Sequence, residues 1–323
     1  MVDLADFHAP PVLSVMIITY NHASFIAQAL DGVLSQKLNF TLEIVIGEDC
    51  SIDGTREIVI DYQKRYPQLV RVLLPEINIG AMPNLIATMA ACRGEFIAIL
   101  EGDDYWTDPT KLQRQVNALR ANPNCSMCFH DAQIVYETSP AKAPVVFSQH
   151  IAPHALPPPN ITGSPLQFTQ LDLARVGWIM PTASIVFRNS SLPHPLPSWF
   201  LGIFSGDYTL QLLSTRNGAA FYLPIVMSCY RVHQHSVTVM MAQSEYQYKR
   251  RIYEGEMYQQ HVFTKENKKH ADIYLSNQIL GYARYLGKQG YRWRQLLFMV
   301  KYGFYFRQRL LLYAERRVRK LFE

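Results

Sequence analysis

The sequence predicts an α/β fold built on a parallel sheet flanked by helices, and two observations carry this prediction. Short apolar runs alternate with helical patterns over the first hundred residues, and polar clusters directly follow three of those runs. Alternating strands and helices are typical of parallel sheets, because each crossover between parallel strands needs a connection long enough for a helix. Ligands gather beyond the carboxyl ends of such strands. The pattern therefore predicts both the sheet and the edge that carries its site.

The elements follow one another in a regular order. Strands are predicted at 12–21, 42–47, 70–74, 96–100, 125–135, 180–188 and 219–226, and helices at 24–34, 55–65, 83–92, 111–121 and 209–215. From residue 244 onward the chain reads as helical and amphipathic. We therefore expect a sheet domain over 1–240 and a helical, basic C-terminal extension over 241–323.

A proline-rich segment interrupts this order. Seven of the 19 prolines lie between Pro140 and Pro165. Proline clusters mark loops because proline lacks a backbone donor and fixes its own φ angle. We expect residues 138–176 to form a loop or insertion rather than packed core.

The charge is unevenly distributed along the chain. The net charge is +5, whereas residues 288–323 hold ten Lys or Arg against Glu315 and Glu323, a balance of +8 that leaves −3 for the other 287 residues. The basic character thus belongs to the tail, and no nucleic-acid partner is expected.

No stretch reaches the roughly 18 apolar residues of a membrane span. Residues 1–11 lack a signal pattern, so a cytoplasmic location is expected.

The five cysteines are scattered and odd in number, which argues against a disulfide framework. Cys125 and Cys128 form a C-x-x-C pair, the spacing of half a zinc site. No second pair completes such a site, and the pair falls in a predicted strand. Buried thiols are the favoured interpretation.

Three carboxylates, Glu101, Asp103 and Asp104, directly follow the strand at 96–100. On their own they fit either a solvated acidic turn or a site for a hard divalent cation such as Mg²⁺ or Mn²⁺. Two further polar clusters, Thr19-Tyr20-Asn21 and Glu48-Asp49, fall at the same predicted sheet edge. Convergence of three clusters favours a ligand site.

Three sequence blocks resemble the family 2 glycosyltransferases with a GT-A fold, and this resemblance implies an α/β fold whose sheet is mixed and mostly parallel. They are SVMIITYN at 14–21, EDCSIDGT at 48–55 and EGDD at 101–104, in the order and spacing of the family. Asn78-x-Gly80 and RGEF at 93–96 also resemble the family pattern. The resemblance covers about 13–135 strongly and 180–238 more loosely, and the proline-rich segment and the extension lie outside it.

The resemblance implies roles for the residues at the sheet edge. Thr19, Tyr20 and Asn21 would line the nucleotide pocket, and Asp49 would contact the base with Glu48 beside it.

It also implies a Mn²⁺ or Mg²⁺ cofactor. Asp103 would be the metal-binding aspartate, and Asp104 would help hold the sugar or orient its neighbours. Glu101 stands where the first aspartate of the D-x-D motif is commonest, so it is a metal-ligand candidate that departs from the pattern. His233 would supply a further metal ligand or contact the diphosphate, although a lone histidine is more often structural. Arg231 either pairs with phosphate or lies on the surface.

Asp207 is the candidate general base, since it occupies the place where the family's base commonly sits. It also suits the first turn of the helix at 209–215, and the two roles are compatible. Trp178 either stacks on a sugar on the acceptor side or is an ordinary core residue.

The implied reaction is inverting transfer of a sugar from a nucleotide-sugar donor, with UDP-sugars favoured, to a glycan or lipid-linked acceptor in bacterial surface polysaccharide synthesis. A sugar-nucleotidyltransferase is an alternative. Such an enzyme would need a glycine-rich basic loop after the first strand to bind triphosphate, and residues 19–22 do not provide one. A non-catalytic nucleotide-sugar-binding scaffold is the other alternative.

The tail suggests a membrane contact. At 100° per residue its apolar side chains fall on one helical face, with the basic side chains off that face; the apolar set is Trp293, Leu297, Val300, Phe304, Leu311, Val318 and Phe322. Such a segment fits the surface of an anionic membrane, so residues 288–323 are expected to contact the inner face of the cell membrane. Packing on the body or on a second subunit is the alternative.

Overall fold

The computed structural model describes residues 10–137, 142–151, 153, 155–156, 166–234, 236, 244–265 and 267–303. The chain divides into two compact units. The first comprises Met1–Leu201 and Gly206–Gln234, and the second comprises Gly202–Ser205 and His235–Glu323. The predicted boundary at residue 240 lies outside the described residues.

One sheet forms the framework of the first unit. Its strands among the described residues are β1 (Leu13–Thr19), β2 (Leu42–Glu48), β3 (Val70–Leu73), β4 (Phe96–Glu101), β5 (Tyr105–Trp106), β6 (Cys125–Tyr136), β7 (Val145–Val146), β8 (Leu166–Thr169), β9 (Val186–Arg188) and β10 (Ala219–Val232). The order is β3-β2-β1-β4-β9-β6-β10-β5, with β7 on β6 and β8 on β10. The four strands β3, β2, β1 and β4 are mutually parallel, and the longest pairing, β6 with β10, is also parallel. The predicted mixed, mostly parallel α/β architecture is confirmed.

The helices of the first unit alternate with these strands. They are α1 (Ile26–Leu34), α2 (Thr55–Arg65), α3 (Ala81–Ala91), α4 (Lys111–Ala121), α5 (Phe147–Ile151), α6 (Gln170–Val176) and α7 (Gly206–Ser214). Helix α1 shows why the sequence folds this way, because apolar residues recur every three or four positions along one face, and that face is buried: Ile26, Ala29, Leu30 and Val33. Ile26, Leu30 and Val33 each contribute roughly 1.5–3 kcal/mol through removal from water.

Two strand predictions were wrong in extent. Residues 182–184 form a 3₁₀ turn, and only Val186–Arg188 is a strand. The carbonyls of Ala183 and Ser184 accept hydrogen bonds from the Trp106 and Gln115 side chains, so they are not available to a neighbouring strand. Strand β10 continues past 226 to Val232. Pro224 lies where its pairing with β6 shifts register, and the strand resumes beyond this irregularity.

The proline-rich segment contributes more to the core than the sequence predicts. Within 138–176, the described residues include β7, α5, β8 and α6. Phe147 is fully buried and packs with Ala132 and Ile134 of β6. Ser148 fixes this segment to the sheet, because its backbone N–H and its hydroxyl both donate to the buried Asp131 carboxylate. Cys125 and Cys128 are buried free thiols, as predicted.

The second unit is helical in its described part. It contains α8 (Glu245–Met257), a π-helical turn (Tyr258–Val262), α9 (Lys268–Lys288) and α10 (Arg292–Lys301). Its core consists of Ile252, Leu275, Ile279, Tyr282 and Leu286. None of the helices in the described residues combines the length and the apolar character needed to cross a bilayer.

Candidate active site

The three polar clusters predicted to share one sheet edge do so. Strand pairing places Thr19 beside Glu48 and Ile18 beside Glu101, so β1, β2 and β4 end next to one another. The turn that follows β4 carries Asp103 and Asp104, and the end of β10 brings His233 to the same place. Strand geometry therefore assembles the site.

Asp103 lies between two histidines. Its Oδ2 atom is 3.0 Å from His233 Nε2 and 3.8 Å from His22 Nε2. One ligand atom from each of the three residues lies within 4.8 Å of the others. We call this group the His-Asp-His cluster. His22 is not among the residues predicted from the sequence, although its position directly after Thr19-Tyr20-Asn21 was an available signal.

Neighbouring groups hold His22 in place. Its Nδ1 lies 3.2 Å from Thr19 Oγ1, and its backbone N–H donates to Thr55 Oγ1 at 2.8 Å. With Nδ1 protonated, the ring donates to the Thr19 hydroxyl and presents a bare Nε2 toward Asp103. A metal-binding histidine commonly needs such a partner to fix its tautomer and ring orientation.

The close packing beneath the cluster requires a glycine at position 102. A Cβ atom on Gly102 would lie 2.4 Å from Thr19 Oγ1 and 3.0 Å from His22 Nδ1. Any larger residue would have to displace the side chains that orient the cluster.

The protonation states suit a cation. Burial alone would raise the pKa of Asp103, but the hydrogen bond with His233 and the charges of both histidines outweigh it and hold that pKa below its usual value. Burial lowers the pKa of His22, with Asp103 opposing and His233 assisting. An ionised carboxylate and a neutral imidazole are the forms that bind metals.

The donor set fits a divalent metal ion. Two imidazole nitrogens and one carboxylate converge, and the side chains of His22 and Asp103 keep 17% and 16% of their surface exposed, which leaves the cluster accessible. Imidazole ligands favour first-row transition ions, whereas Mg²⁺ prefers oxygen ligands. Mn²⁺ accepts both and therefore fits these three residues better than Mg²⁺ does.

Glu101 is not one of the three residues of the cluster. Burial, followed by the nearby Asp103 and Asp207 carboxylates, raises the pKa of Glu101 to about 8, against a hydrogen bond from Thr182. Glu101 is thus close enough to Asp103 and to Asp207 for both carboxylates to oppose its ionisation. Its predicted role as a metal ligand stays a prediction.

Asp104 fixes the acidic turn to β10. Its Oδ1 accepts from the backbone N–H of Arg231 at 2.9 Å, while its buried Oδ2 has no hydrogen-bond partner in the part of the chain that the structure describes. Burial raises the pKa of Asp104 well above its ordinary value, and the charges of Asp103 and Glu101 add to this. Contact of Asp104 with a sugar stays a prediction.

Arg231 is buried, so the surface interpretation of this residue was wrong. Only 4% of it is exposed, and its Nη1 donates to the Asp103 carbonyl at 2.6 Å. The guanidinium lies over the Tyr105 ring at 4.3 Å and the Phe25 ring at 5.0 Å. Arg231 therefore clamps the backbone of the acidic turn, which sets the position of Asp103.

Glu48 and Asp49 shape the loops of the predicted nucleotide pocket. The Asp49 carboxylate accepts from the backbone N–H groups of Ile79 and Gly80 at 2.7 and 2.9 Å, and from Asn78 Nδ2 at 3.1 Å. Glu48 accepts from Arg56 Nε and is fully buried. Both carboxylates are thus engaged within the protein, and a base contact by Asp49 stays a prediction.

The Thr19-Tyr20-Asn21 cluster divides into supporting and exposed residues. Thr19 is buried beside His22. Asn21 has a left-handed φ of 55°, and its Oδ1 accepts from the Ile52 N–H at 3.0 Å, which ties this turn to the loop after β2. Tyr20 is 43% exposed and is therefore the member that a ligand could cover.

Asp207 lies in the first turn of α7, and its carboxylate accepts from two side chains. Trp178 Nε1 donates to Oδ2 at 2.9 Å and Thr182 Oγ1 at 3.3 Å. Burial raises the pKa of Asp207, while the Tyr208 N–H, Trp178 and Thr182 favour its ionised form. The Trp178 ring also packs edge-on against Phe147 at 5.0 Å. Trp178 therefore orients Asp207 and also packs against the proline-rich segment.

The sheet order and the acidic turn at the carboxyl ends of its strands define a GT-A glycosyltransferase fold. Solved structures agree with this assignment of the fold. Staphylococcus aureus TarS 1–349 in complex with UDP-GlcNAc has a TM-score of 0.57 at 16% identity, over 85% of this chain and 80% of that one. The mannosyltransferase PcManGT of Pyrobaculum calidifontis, in complex with GDP-Man and Mn²⁺, has a TM-score of 0.57 at 15% identity, over 88% and 76% of the two chains.

Residues 14–161 match the family described as Glycosyl transferase family 2, and this part of the chain belongs to that family. An uncharacterized protein of Mycobacterium tuberculosis is 34% identical over 228 residues, which is 70% of this chain and 60% of that protein. TuaG of Bacillus subtilis, whose name assigns it to teichuronic acid biosynthesis as a glycosyltransferase, is 31% identical over 119 residues, or 37% and 46% of the two chains. The chain thus spans about 60% of the mycobacterial relative's length.

Proposed function

We propose that this protein is an inverting, metal-dependent glycosyltransferase that moves a sugar from a nucleotide-sugar donor to an acceptor hydroxyl. The observation that carries the proposal is the His-Asp-His cluster, which lies at the carboxyl edge of the family 2 sheet beside Glu101, whose pKa both Asp103 and Asp207 raise. A cation-binding group and a candidate base on the same edge are the two parts that such a transfer needs.

His22, Asp103 and His233 would hold the ion, and of the two predicted ions Mn²⁺ fits these ligands better than Mg²⁺ does. When bound, a divalent ion neutralises the charge that builds up on the departing nucleoside diphosphate. Arg231 keeps the Asp103 backbone in position, and Thr19 orients the His22 ring, so the ligands need little rearrangement. Preorganised charge of this kind stabilises a transition state more than a ground state.

Asp207 would act as the general base. Its carboxylate takes the proton from the acceptor hydroxyl while the acceptor oxygen forms a bond to the anomeric carbon and the nucleoside diphosphate leaves. A single displacement of this kind inverts the anomeric configuration. Trp178 and Thr182 donate to the Asp207 carboxylate, which holds its orientation and supports its ionised form.

The donor is proposed to be a UDP-sugar and the acceptor a glycan or lipid-linked hydroxyl in bacterial surface polysaccharide synthesis. TarS with UDP-GlcNAc and the name of TuaG support this choice, whereas PcManGT with GDP-Man keeps GDP-sugars among the candidates. We place the reaction in the cytoplasm, at the inner face of the cell membrane, where activated sugars and lipid-linked acceptors would meet.

A donor screen tests the proposal. The full chain is incubated with UDP-, GDP- and dTDP-sugars, with and without Mn²⁺, and nucleotide release and donor binding are measured. The expected result is Mn²⁺-dependent binding and slow release with one class of donor. Absence of metal-dependent binding and turnover with every donor would refute the enzyme assignment. Metal-dependent binding without turnover, even with acceptor glycans added, would instead identify a nucleotide-sugar-binding scaffold.

A further inference from the structure

Helix α10 has two opposite faces, and its inner face packs against the other helices of the second unit. Phe298 packs edge-on against Tyr282 with ring centroids 4.9 Å apart, and Gln295 Nε2 donates to the Ala283 carbonyl at 3.0 Å. The hydroxyl of Tyr302, just after the helix, donates to Glu256 Oε1 at 3.2 Å. These contacts fix how the helix is rotated about its axis.

The outer face of α10 is apolar and exposed. Trp293, Leu297 and Val300 are 79%, 68% and 72% exposed, and Leu296 between them is 51% exposed. At 3.6 residues per turn these four side chains share an arc of roughly 100°, opposite the inner face. Single exposed apolar residues are ordinary, whereas a contiguous apolar stripe marks an interaction surface.

Basic residues border this stripe on both sides. Arg292 lies roughly 100° from Trp293 on one side of the helix, and Lys301 roughly 80° from it on the other. The helix sequence RWRQLLFMVK contains no acidic residue. Residues 304–323 lie outside the described part of the chain, and their sequence adds six Lys or Arg against two Glu. Arg294 donates to Glu245 and is engaged within the unit.

We propose that the outer face of α10 lies in the surface of a bilayer that contains anionic phospholipids. An apolar stripe flanked by cations is the pattern of a helix that inserts shallowly, with its aromatic and aliphatic side chains at the acyl boundary and its cations at the headgroups. A symmetric pair of α10 helices from two copies would instead bring Arg292 and Lys301 of each copy near those of the other. Like-charge repulsion therefore favours the lipid as the occupant.

Vesicle co-sedimentation of the full chain tests this proposal. Vesicles of phosphatidylcholine alone are compared with vesicles that also contain phosphatidylglycerol, at two salt concentrations. Binding is expected only with the anionic vesicles and is expected to weaken as salt screens the basic residues. The variant W293S/L297S/V300S should bind at least about tenfold more weakly, because it removes the inserted apolar surface. The three side chains are exposed, so the fold should survive.

The matched control is Ile273→Ser on α9, which changes an apolar residue that is 41% exposed outside the stripe. This control should bind anionic vesicles as the wild-type chain does. Equal binding to both kinds of vesicle, or unchanged binding of the triple variant, would overturn the proposal. A wild-type dimer in light scattering that the triple variant converts to a monomer would overturn it in favour of a second copy. None of these readouts depends on glycosyl transfer.

Discussion

The proposed chemistry rests on four side chains, Asp207 and the three of the His-Asp-His cluster, and each of them has a neighbour that fixes its orientation. Trp178 and Thr182 hold the carboxylate of Asp207. Thr19 sets the ring of His22, while His233 and Asp103 hold each other. At the scale of single residues, the groups that would touch substrate or metal are therefore distinct from the groups that position them.

Replacing the proposed base tests this separation. Asp207→Asn keeps the shape of the side chain and an oxygen for Trp178 but cannot accept a proton. Turnover should fall about 10²- to 10⁴-fold, while the affinity for donor and for Mn²⁺ stays unchanged. Steady-state kinetics with the donor found in the screen would measure this, with the exposed Asp61→Asn as the matched control. A loss smaller than about threefold would exclude Asp207 as the base.

The sequence could predict residues whose chemistry is tied to a motif, and it missed those defined only by packing. Asp103 and His233 were predicted and lie in contact. His22 was missed because a histidine in a polar loop has no signature until the turn after β4 approaches it in three dimensions. Arg231 was expected either to pair with phosphate or to lie on the surface. Neither expectation included the buried hydrogen bond that it donates to the Asp103 carbonyl.

At the scale of elements, the acidic turn between β4 and β5 depends on close backbone packing. Gly102 has no room for a Cβ, because the nearest atoms belong to Thr19, the last residue of β1, and to His22 on the loop that follows. The turn is held from the other side by Arg231 on β10. Two strand ends thus fix one turn, and the metal-ligand geometry follows from their positions.

A single added methyl group should disturb this arrangement. Gly102→Ala is expected to lower the free energy of unfolding by about 1–3 kcal/mol through overpacking, and to weaken Mn²⁺ binding by displacing His22. Thermal or denaturant unfolding and metal titration would measure the two effects. Gly303→Ala is the control, because a Cβ there meets open space. Equal stability of both variants would show that the turn can relax and that the packing argument is wrong.

Element boundaries were predictable where one local signal decided them. Helix α4 begins and ends at the predicted residues. The segment 180–188 is a shorter strand than predicted, because two side chains distant in sequence, Trp106 and Gln115, donate hydrogen bonds to its carbonyl groups. The proline-rich segment likewise could not be assigned, because its order near Phe147 depends on packing against β6 rather than on its own sequence.

At the scale of the whole molecule, the two units carry different functions in this account. The first unit, with its family 2 sheet, holds the proposed metal and donor site, and the second unit presents the proposed membrane-binding face of α10. The charge distribution agrees with this division, since the C-terminal 36 residues carry +8 and the rest of the chain carries −3. Loss of either function should therefore leave the other measurable.

Titration of the full chain with Mn²⁺ by calorimetry tests the central claim most directly. The account predicts one ion per chain, bound at least about tenfold more weakly by His22→Ala, Asp103→Asn and His233→Ala than by the wild-type protein, because each variant removes one ligand. His150→Ala, which removes an exposed histidine on α5, should bind as the wild type does. Absence of Mn²⁺ binding, or wild-type affinity in all three cluster variants, would contradict the account.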